Sequence, residues 1–297
     1  MTDQYTFQDP SKQYSDFNTE AQYQEGPGLD TELEQQADLG EESYRGSGRL
    51  EGRLALVTGA DSGIGAAVAI AFAREGADVA LAYLPEEEQD AQRIVELIHR
   101  AGRKAVPLPG DLTDPSYCRN LVSQAVDALG GLDIVVNNAG MQQHVEALED
   151  LSDEQFDKTF KTNVYAMFWV TKAALPHLKP GSAIINTSSI QAYQPAPHLL
   201  DYATTKASIN TFSKALAQQL APKGIRVNIV APGPVWTPLQ TAGGQPTEDL
   251  PEFGQDTPLG RPGQPAELAP AYVFLASPES SFVIGETMHV NGGSPTP

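Results

Sequence analysis

The stretch "LALVTGADSGIGAAVAIAFAREG", Leu54 to Gly76, joins a short apolar run to an alanine-rich helical pattern through a loop that contains Gly59, Gly63 and Gly65. Glycines at such a turn permit a tight bend and let backbone N–H groups approach a dinucleotide pyrophosphate at the helix N-terminus. The spacing G-x-x-x-G-x-G differs from the usual G-x-G-x-x-G fingerprint. Because the loop lies between an apolar run and a helix, we interpret it as phosphate-binding rather than as a purely structural turn.

Six further apolar runs follow, and helical patterns separate them. Several of the runs are continuously apolar rather than alternating, which is typical of a parallel sheet that is buried on both faces. We therefore predict an α/β fold, a Rossmann-type three-layer, doubly wound parallel sheet of about seven strands. The predicted strands are residues 54–58, 78–83, 104–108, 133–137, 183–188, 225–230 and 287–290.

Residues 1–48 differ in composition from the rest of the chain. They contain no Val or Ile, and they carry eleven acidic residues against only Lys12 and Arg45. Such a segment has too little apolar surface to fold by itself. We predict that 1–48 is an acidic N-terminal extension, either a disordered tail or a docked arm, and that 49–297 is a single Rossmann domain. An arm would dock through the aromatic residues Tyr5, Phe7, Tyr14, Phe17 and Tyr23.

Charge and composition narrow the classes of partner. The 297 residues carry a formal net charge of −19, so we expect neither nucleic acid nor a membrane surface as a partner. No apolar run approaches the about 20 residues that span a bilayer, and the N-terminus lacks signal-peptide regions, which favours a cytoplasmic protein. The single cysteine, Cys118, falls on the apolar face of a helical pattern, so we expect it in the core. We predict no metal site, because no Cys/His cluster has ligand spacing.

The stretch "LLDYATTKASINTF", residues 199–212, holds Tyr202 and Lys206 at positions that share one face of a helix. A neighbouring ammonium favours the phenolate and lowers the pKa of a phenol. That would make Tyr202 a usable proton donor and acceptor near neutral pH. Alone, the Y-x-x-x-K spacing also occurs on exposed helices without any function.

Several motifs together resemble the classical short-chain dehydrogenase/reductase family. They are "TGADSGIG", "NNAG" at 137–140, Ser189 with the Tyr202/Lys206 pair, and "PGPVWT" at 232–237. The resemblance covers residues 50–293 in the family's order. The segments "EESYRGSGRLEGR" and "SIQAYQPAPHLLDYATTK" are similar to a bacterial subgroup with N-terminal extensions. Its members are described as NADP-dependent aldehyde reductases, general stress oxidoreductases or glucose-dehydrogenase-like proteins.

The resemblance implies a catalytic set of Asn163, Ser189, Tyr202 and Lys206. Ser189 precedes Tyr202 by thirteen residues, the family's spacing, which selects it over Ser188. Its hydroxyl would stabilise charge on the substrate oxygen, and Tyr202 would transfer the proton. Lys206 would lower the pKa of Tyr202 and hold the ribose hydroxyls of the nicotinamide nucleotide. Asn163 would support a water that connects Lys206 to bulk solvent.

The resemblance also implies a dinucleotide cofactor, NADP or NAD. Tyr83 or Leu84 stands where NAD-dependent members carry an acid, which removes a barrier to a 2′-phosphate, whereas Asp61 and the glutamates at 86–88 disfavour one. The subgroup resemblance leads us to favour NADP. The implied cofactor-binding residues are Gly59, Asp61, Ser62, Gly63, Ile64, Gly65, Tyr83, Asp111, Leu112, Asn138, Ala139, Gly140, Tyr202, Lys206, Pro232, Gly233, Val235 and Thr237.

The polar, Gly- and Pro-rich segment 237–263 is predicted to be a mobile lid over the substrate pocket. With Gln142, Gln191 and Tyr193 it suits a small hydroxylated aldehyde, ketone or sugar. The expected function is therefore NAD(P)-dependent reduction of small aldehydes or ketones. The alternatives are a sugar dehydrogenase and a non-catalytic NAD(P)-sensing protein. The resemblance further implies a homotetramer built from paired helices around 156–178 and 203–221.

Overall fold

Seven parallel strands form one sheet in this computed structural model, which describes residues 3–296. In chain order they are β1 (Leu54–Thr58), β2 (Asp78–Tyr83), β3 (Ala105–Pro109), β4 (Ile134–Asn137), β5 (Ala183–Thr187), β6 (Arg226–Pro232) and β7 (Thr287–Val290). The spatial order is β3-β2-β1-β4-β5-β6-β7. Strands β2 and β3 are added on one side of β1, and strands β4 to β7 are added on its other side. This order confirms the predicted doubly wound topology.

Seven α-helices connect the strands. They are α1 (Gly63–Arg74), α2 (Glu88–Arg100), α3 (Pro115–Leu129), α4 (Asp153–Phe160), α5 (Ala166–Ala174), α6 (Leu200–Leu220) and α7 (Pro265–Ala276). One π-helical turn, Lys161–Tyr165, joins α4 to α5. Within residues 3–296 no helix combines the length and the apolarity needed to cross a membrane.

The sheet separates two apolar cores. Ala55 and Val57 of β1 face the core formed with α1, α2 and α7, whereas Leu56 faces the core formed with α3, α5 and α6. Successive residues of a strand point to opposite faces, so a strand that is buried on both faces must be apolar at every position. This is why the strands read as continuous apolar runs.

Local signals set the ends of the helices. In α3, Pro115 occupies the first turn and the Asp114 side chain accepts the N–H of Ser116, which caps the helix. Helix α2 buries Ala91, Ile94, Val95 and Ile98, the predicted stripe, and Gly102 follows its end with φ of +74°. Cys118 lies fully buried in the core on α3, as predicted. The strand limits differ slightly from the prediction, since β3 runs to Pro109 and β6 to Pro232.

Residues 3–53 precede the first strand and pack along the domain. Leu33, Leu39 and Tyr44 are buried, and Tyr44 donates a hydrogen bond to Glu75 at the end of α1 at 2.6 Å. The aromatic residues predicted as anchors divide into two groups. Phe17 contacts Trp236 edge-on and Tyr14 donates to Asp38, but Tyr5, Phe7 and Tyr23 are exposed. The packing therefore depends mainly on leucines and on Tyr44, and the boundary at residue 48 stays a prediction.

Candidate active site

The paired residues Tyr202 and Lys206 lie at the edge of the sheet where the parallel strands end. Both are on α6, and their relative exposures are only 7% and 3%. The Lys206 Nζ lies 5.3 Å from the centre of the Tyr202 ring and donates to the Thr187 carbonyl at the end of β5 at 3.0 Å. The predicted pairing on one helix face is therefore present, and a strand end holds the ammonium in place.

Burial changes the pKa of both groups. It raises the pKa of the Tyr202 phenol to about 12, with an opposing contribution from a hydrogen bond with Ser189, and it lowers the pKa of the Lys206 ammonium to about 8. The expectation that Lys206 lowers the phenol pKa below its ordinary value is wrong for this arrangement. The reason is that the ammonium faces the ring rather than bonding the hydroxyl, while removal from water penalises the phenolate.

The two neighbouring serines have different surroundings. Ser188 donates to the Lys206 carbonyl on α6 at 3.0 Å, so its hydroxyl fastens the helix to the strand end. Ser189 accepts the N–H of Gln191 and interacts with the Tyr202 phenol. Of the two, Ser189 is the one that the fold brings to the phenol.

Asn163 lies in the π-helical turn between α4 and α5, and it is 2% exposed. Its side chain accepts the N–H of Met141 at 2.7 Å, and it donates to the Met141 carbonyl and to Thr205. A Cβ placed on Gly140 would lie 3.5 Å from both Asn163 Oδ1 and Lys206 Nζ. Single π turns are frequent at functional sites because they re-aim one side chain within a helix.

The glycine loop shows two positions that exclude a side chain. Gly63 has φ of +49°, and a Cβ there would lie 2.8 Å from the Thr237 methyl group. A Cβ on Gly65 would lie 1.8 Å from the Gly59 carbonyl oxygen. The bare backbone and the start of α1 together form a cradle that fits a dinucleotide pyrophosphate.

The ends of β1 and β4 are joined through Thr58. Its hydroxyl accepts the N–H groups of Asn138 and Ala139 at 3.0 and 3.1 Å, and the Asn138 amide donates to the Thr58 carbonyl. Asn137 donates to Asn186 on β5 at 2.8 Å. The "NNAG" residues thus connect three strands beside the glycine loop.

The side chains predicted to contact the adenine half lie at the ends of β2 and β3. Tyr83 is buried, and its hydroxyl donates to Glu88 at 2.8 Å. Asp111 is exposed and accepts the N–H and hydroxyl of Thr113, while Leu112 is buried behind it. These residues flank the same end of the sheet as the glycine loop.

The "PGPVWT" segment lies beside the glycine loop. Pro232 ends β6, and the Gly233 N–H donates to Val290 of β7. Val235 and Thr237 are buried, at 4% and 7% exposure. Thr237 lies against Gly63, since a Cβ on that glycine would meet the Thr237 methyl group.

The predicted lid and substrate residues are held by internal hydrogen bonds. Gln142 is buried and donates to the Gly244 carbonyl at 2.5 Å, which ties it to the lid. The Gln191 side-chain oxygen Oε1 accepts the N–H of Ala196, and the Tyr193 ring contacts His289 edge-on at 4.9 Å. The mobility of the lid stays a prediction.

Sequence reasoning did not single out two residues near the site. Asp30, from the N-terminal segment, accepts the Gly63 N–H at 2.9 Å inside the glycine loop. Tyr272 of α7 shares a 2.8 Å hydrogen bond with Thr187. No motif marks either residue, because each reaches the site only through the tertiary fold.

A family model described as enoyl-(acyl carrier protein) reductase matches residues 59–294 of this chain. The oxidoreductase YhxD of Bacillus subtilis (strain 168) is 59% identical over 278 residues, which are 93% of each chain. The NADPH-dependent aldehyde reductase 1, chloroplastic, of Arabidopsis thaliana is 42% identical, and the match covers 90% of this chain and 95% of the relative. The glucose and ribitol dehydrogenase of Daucus carota is 44% identical, and the match covers 84% of this chain and 88% of the relative.

A solved structure extends the comparison to the fold. The short-chain dehydrogenase of Burkholderia cenocepacia J2315, crystallised in complex with NADP, has a TM-score of 0.77 and 36% identity. It covers 82% of this chain and 98% of its own.

Proposed function

Because the chain belongs to the short-chain dehydrogenase/reductase family and is an NAD(P)-dependent oxidoreductase, we propose that it reduces small aldehydes or ketones to alcohols. The observation that carries this proposal is the placement of a buried phenol, a buried ammonium and a serine hydroxyl together where the parallel strands end. The relative described as an aldehyde reductase supports the choice of substrate class.

Tyr202 supplies the proton in this mechanism. Its pKa of about 12 keeps the phenol protonated at neutral pH, which is the form that a general acid needs in reduction. The Ser189 hydroxyl, already oriented towards the phenol, donates to the substrate oxygen as negative charge develops there. The phenol and the serine thus hold the carbonyl oxygen between two donors.

Lys206 and Asn163 support the proton donor. The Lys206 ammonium lies over the phenol ring and stabilises the phenolate left after proton transfer. Asn163 fixes the Met141 backbone beside Gly140, and both Asn163 and Lys206 border that glycine. We assign Asn163 the role of holding a water that returns a proton to Lys206.

The backbone N–H groups of Ser62, Ile64 and Gly65 would hold the pyrophosphate of the cofactor. Gly59 and Gly63, whose own N–H groups donate to Ala82 and Asp30, would line it as bare backbone. Asp111 would contact the adenine, and Thr237 the nicotinamide carboxamide. When bound, the cofactor supplies the hydride, and the protein supplies orientation and the proton. The bare backbone at Gly63 and Gly65 is the structural feature that fits this group.

We propose NADP as the preferred cofactor over NAD. The end of β2 carries Tyr83 in place of an acid, so the strand itself supplies no carboxylate to the adenine ribose, and the nearby Glu88 accepts the Tyr83 hydroxyl. The relative from Arabidopsis thaliana is described as NADPH-dependent, and the Burkholderia structure holds NADP. Comparing kcat/KM with NADPH and with NADH tests this choice, and a preference for NADH rejects it.

Oxidation of a sugar or sugar alcohol is the second candidate function. The relative from Daucus carota described as a glucose and ribitol dehydrogenase favours it. Gln142, Gln191 and Tyr193 supply polar groups for hydroxylated substrates in either direction. A non-catalytic NAD(P) sensor is the third candidate, and it predicts binding without turnover.

We propose that the chain forms a homotetramer. Phe156 of α4 and Phe168 of α5 are 40% and 42% exposed, and Phe282 next to β7 is 99% exposed. Apolar side chains of this size on helix faces and beside an edge strand favour contact with further copies. Sedimentation that shows a stable monomer would reject this assembly.

The experiment that tests the function is a panel of small aldehydes, ketones and polyols, each assayed with both cofactors. We expect measurable turnover of at least one aldehyde or ketone with NADPH, and its loss in Tyr202→Phe. Oxidation of polyols without reduction of carbonyls would favour the sugar dehydrogenase. Turnover of every active substrate that survives Tyr202→Phe would reject the mechanism.

A further inference from the structure

The N-terminal segment supplies a cap to the glycine loop. Helix α1 begins at Gly63, and Ser62, which precedes it, makes no side-chain hydrogen bond to the helix. Instead, the Asp30 carboxylate accepts the Gly63 N–H at 2.9 Å. The first N–H groups of a helix have no partner within it, so an acceptor from elsewhere fixes the conformation of the first turn.

Helix α2 fixes the backbone of Asp30 in turn. The Asp90 carboxylate accepts the N–H groups of Asp30 and Thr31 at 2.5 and 3.2 Å. Asp30 and Asp90 are 3% and 1% exposed. Asp30 is thus held from behind by α2 while its side chain reaches the glycine loop.

The same segment also contacts the residues that follow β6, on the other side of the predicted dinucleotide site. The Gln24 N–H donates to the Thr241 carbonyl, and the Trp236 indole donates to the Gln35 carbonyl at 2.8 Å. Leu33 completes an apolar cluster with Trp236 and Leu250. Because Trp236 adjoins Thr237, and Thr237 lies against Gly63, the segment contacts both sides of the predicted dinucleotide site.

From this geometry we infer that Asp30 is a positioning residue of the cofactor site, which holds the glycine loop in its dinucleotide-binding conformation. The inference rests on the proposed function. It makes the N-terminal segment part of the cofactor site, because the conformation of the glycine loop depends on a side chain 33 positions before Gly63.

The charge state of Asp30 affects how well a loop that it holds can bind the negatively charged pyrophosphate. Asp61 in the glycine loop and Asp90 on α2 face it, Arg93 of α2 opposes them, and Glu87 adjoins Asp61. Burial raises the pKa of Asp30 to about 8. Near neutral pH the carboxyl is therefore mostly uncharged, and it caps Gly63 without placing negative charge beside the pyrophosphate. Above about pH 8 it gains charge, and cofactor affinity should fall.

Within residues 3–296 no group of acidic, His or Cys side chains is arranged to hold a metal ion. Neither Asp30 Oδ1 nor Asp61 Oδ2 has a hydrogen-bond partner among those residues. Burial also raises the pKa of Glu87 to about 8, so protons on Asp30 and Glu87 compensate for these facing carboxyl groups.

Direct binding of NADPH and NADH to the full-length chain, by calorimetric titration at about pH 7 and about pH 9, tests the inference. Asp30→Ala removes the acceptor, and we expect Kd to rise about tenfold near pH 7. Asp30→Asn keeps an acceptor without ionising, so its Kd should stay within about twofold of wild type near pH 7 and be lower than wild type near pH 9. The matched control is Glu32→Gln, which removes an exposed carboxylate two positions away and should behave as wild type.

Thermal unfolding of the same samples separates positioning from stability. If Asp30→Ala lowers the binding-competent fraction and Tm but leaves Kd unchanged, or if Asp30→Asn shows the pH dependence of wild type, the inference is wrong. A wild-type chain that binds neither dinucleotide would overturn the proposed function as well. Normal binding by wild type with no effect of Asp30→Ala overturns this inference alone.

Discussion

Lys206 Nζ lies 5.3 Å from the centre of the Tyr202 ring and bonds the Thr187 carbonyl rather than the phenol oxygen. The ammonium thus acts on the phenol through space and is anchored independently of it. Because burial lowers the pKa of Lys206 to about 8 and raises that of Tyr202 to about 12, the two groups titrate in well-separated ranges. This separation determines how the reaction should respond to pH.

The two reaction directions should have different pH dependences. Reduction needs protonated Tyr202 and charged Lys206, so its kcat/KM should be constant near neutral pH and fall above about pH 8, where Lys206 loses its proton. Oxidation needs the phenolate, whose population rises towards about pH 12, so its optimum should be more alkaline. Initial rates in both directions in buffers of constant ionic strength check this. A reduction rate that rises steadily from neutral to alkaline pH would contradict it.

Tyr202→Phe should lower kcat by about 10²–10⁴-fold, because the general acid is lost. The Kd for NADPH should change less than about threefold, since the ring and its packing remain. Steady-state kinetics and direct titration measure the two quantities. Tyr23→Phe, at an exposed tyrosine, is the matched control and should leave both unchanged.

Ser189→Ala should lower kcat by about 10²–10³-fold, because it removes a donor to the developing oxyanion. The neighbouring Ser188→Ala removes a hydroxyl that bonds the Lys206 carbonyl, so it should lower kcat less than about tenfold and act mainly on stability. Kinetics and thermal unfolding of both variants make the comparison. Equal losses of kcat would mean that the thirteen-residue spacing selects the wrong serine.

Glu75 should link stability to pH through the N-terminal segment. Its carboxylate accepts bonds from Tyr44, Ser47 and Arg49, and these interactions lower its pKa to about 2 although burial opposes them. A lowered folded-state pKa stabilises the fold above the ordinary carboxyl pKa, and that contribution disappears as the pH falls through about 2.

Glu75→Gln should therefore lower the free energy of unfolding by about 3 kcal/mol near pH 7, and the difference should shrink below about 1 kcal/mol near pH 2.5. Urea denaturation at both pH values measures it. Glu96→Gln, at an exposed position, should change stability by less than about 0.5 kcal/mol. A difference that does not depend on pH would exclude ionised Glu75 as the cause.

The strands and the tyrosine–lysine pair could be predicted because their sequence signals are local. Residues 78–83 and 287–290 form strands with the predicted limits, since each run is bounded by polar or turn residues. The tyrosine–lysine pair follows from helical periodicity alone. The predicted family and fold are confirmed by relatives and a solved structure.

Other features depend on the folded environment, which no short window of sequence contains. The phenol pKa was expected to be lowered, but burial by residues from several elements raises it. Asp30 lies in "LDTELE", a segment without any motif, and it meets Gly63 only because α2 and the loop after β6 hold it there. The composition of residues 1–48 does not distinguish a disordered tail from a docked arm. Docking depends on the surface of the domain as well as on the segment itself.

The indole of Trp236 offers an optical reporter for the N-terminal segment. It is 1% exposed, it bonds the Gln35 carbonyl, and the Phe17 ring lies 6.2 Å away edge-on. The chain has one other tryptophan, Trp169, so Trp169→Phe would leave Trp236 as the single tryptophan emitter. Detachment of the segment would bring water to that emitter and shift its fluorescence to longer wavelength, which allows detachment to be timed by stopped flow.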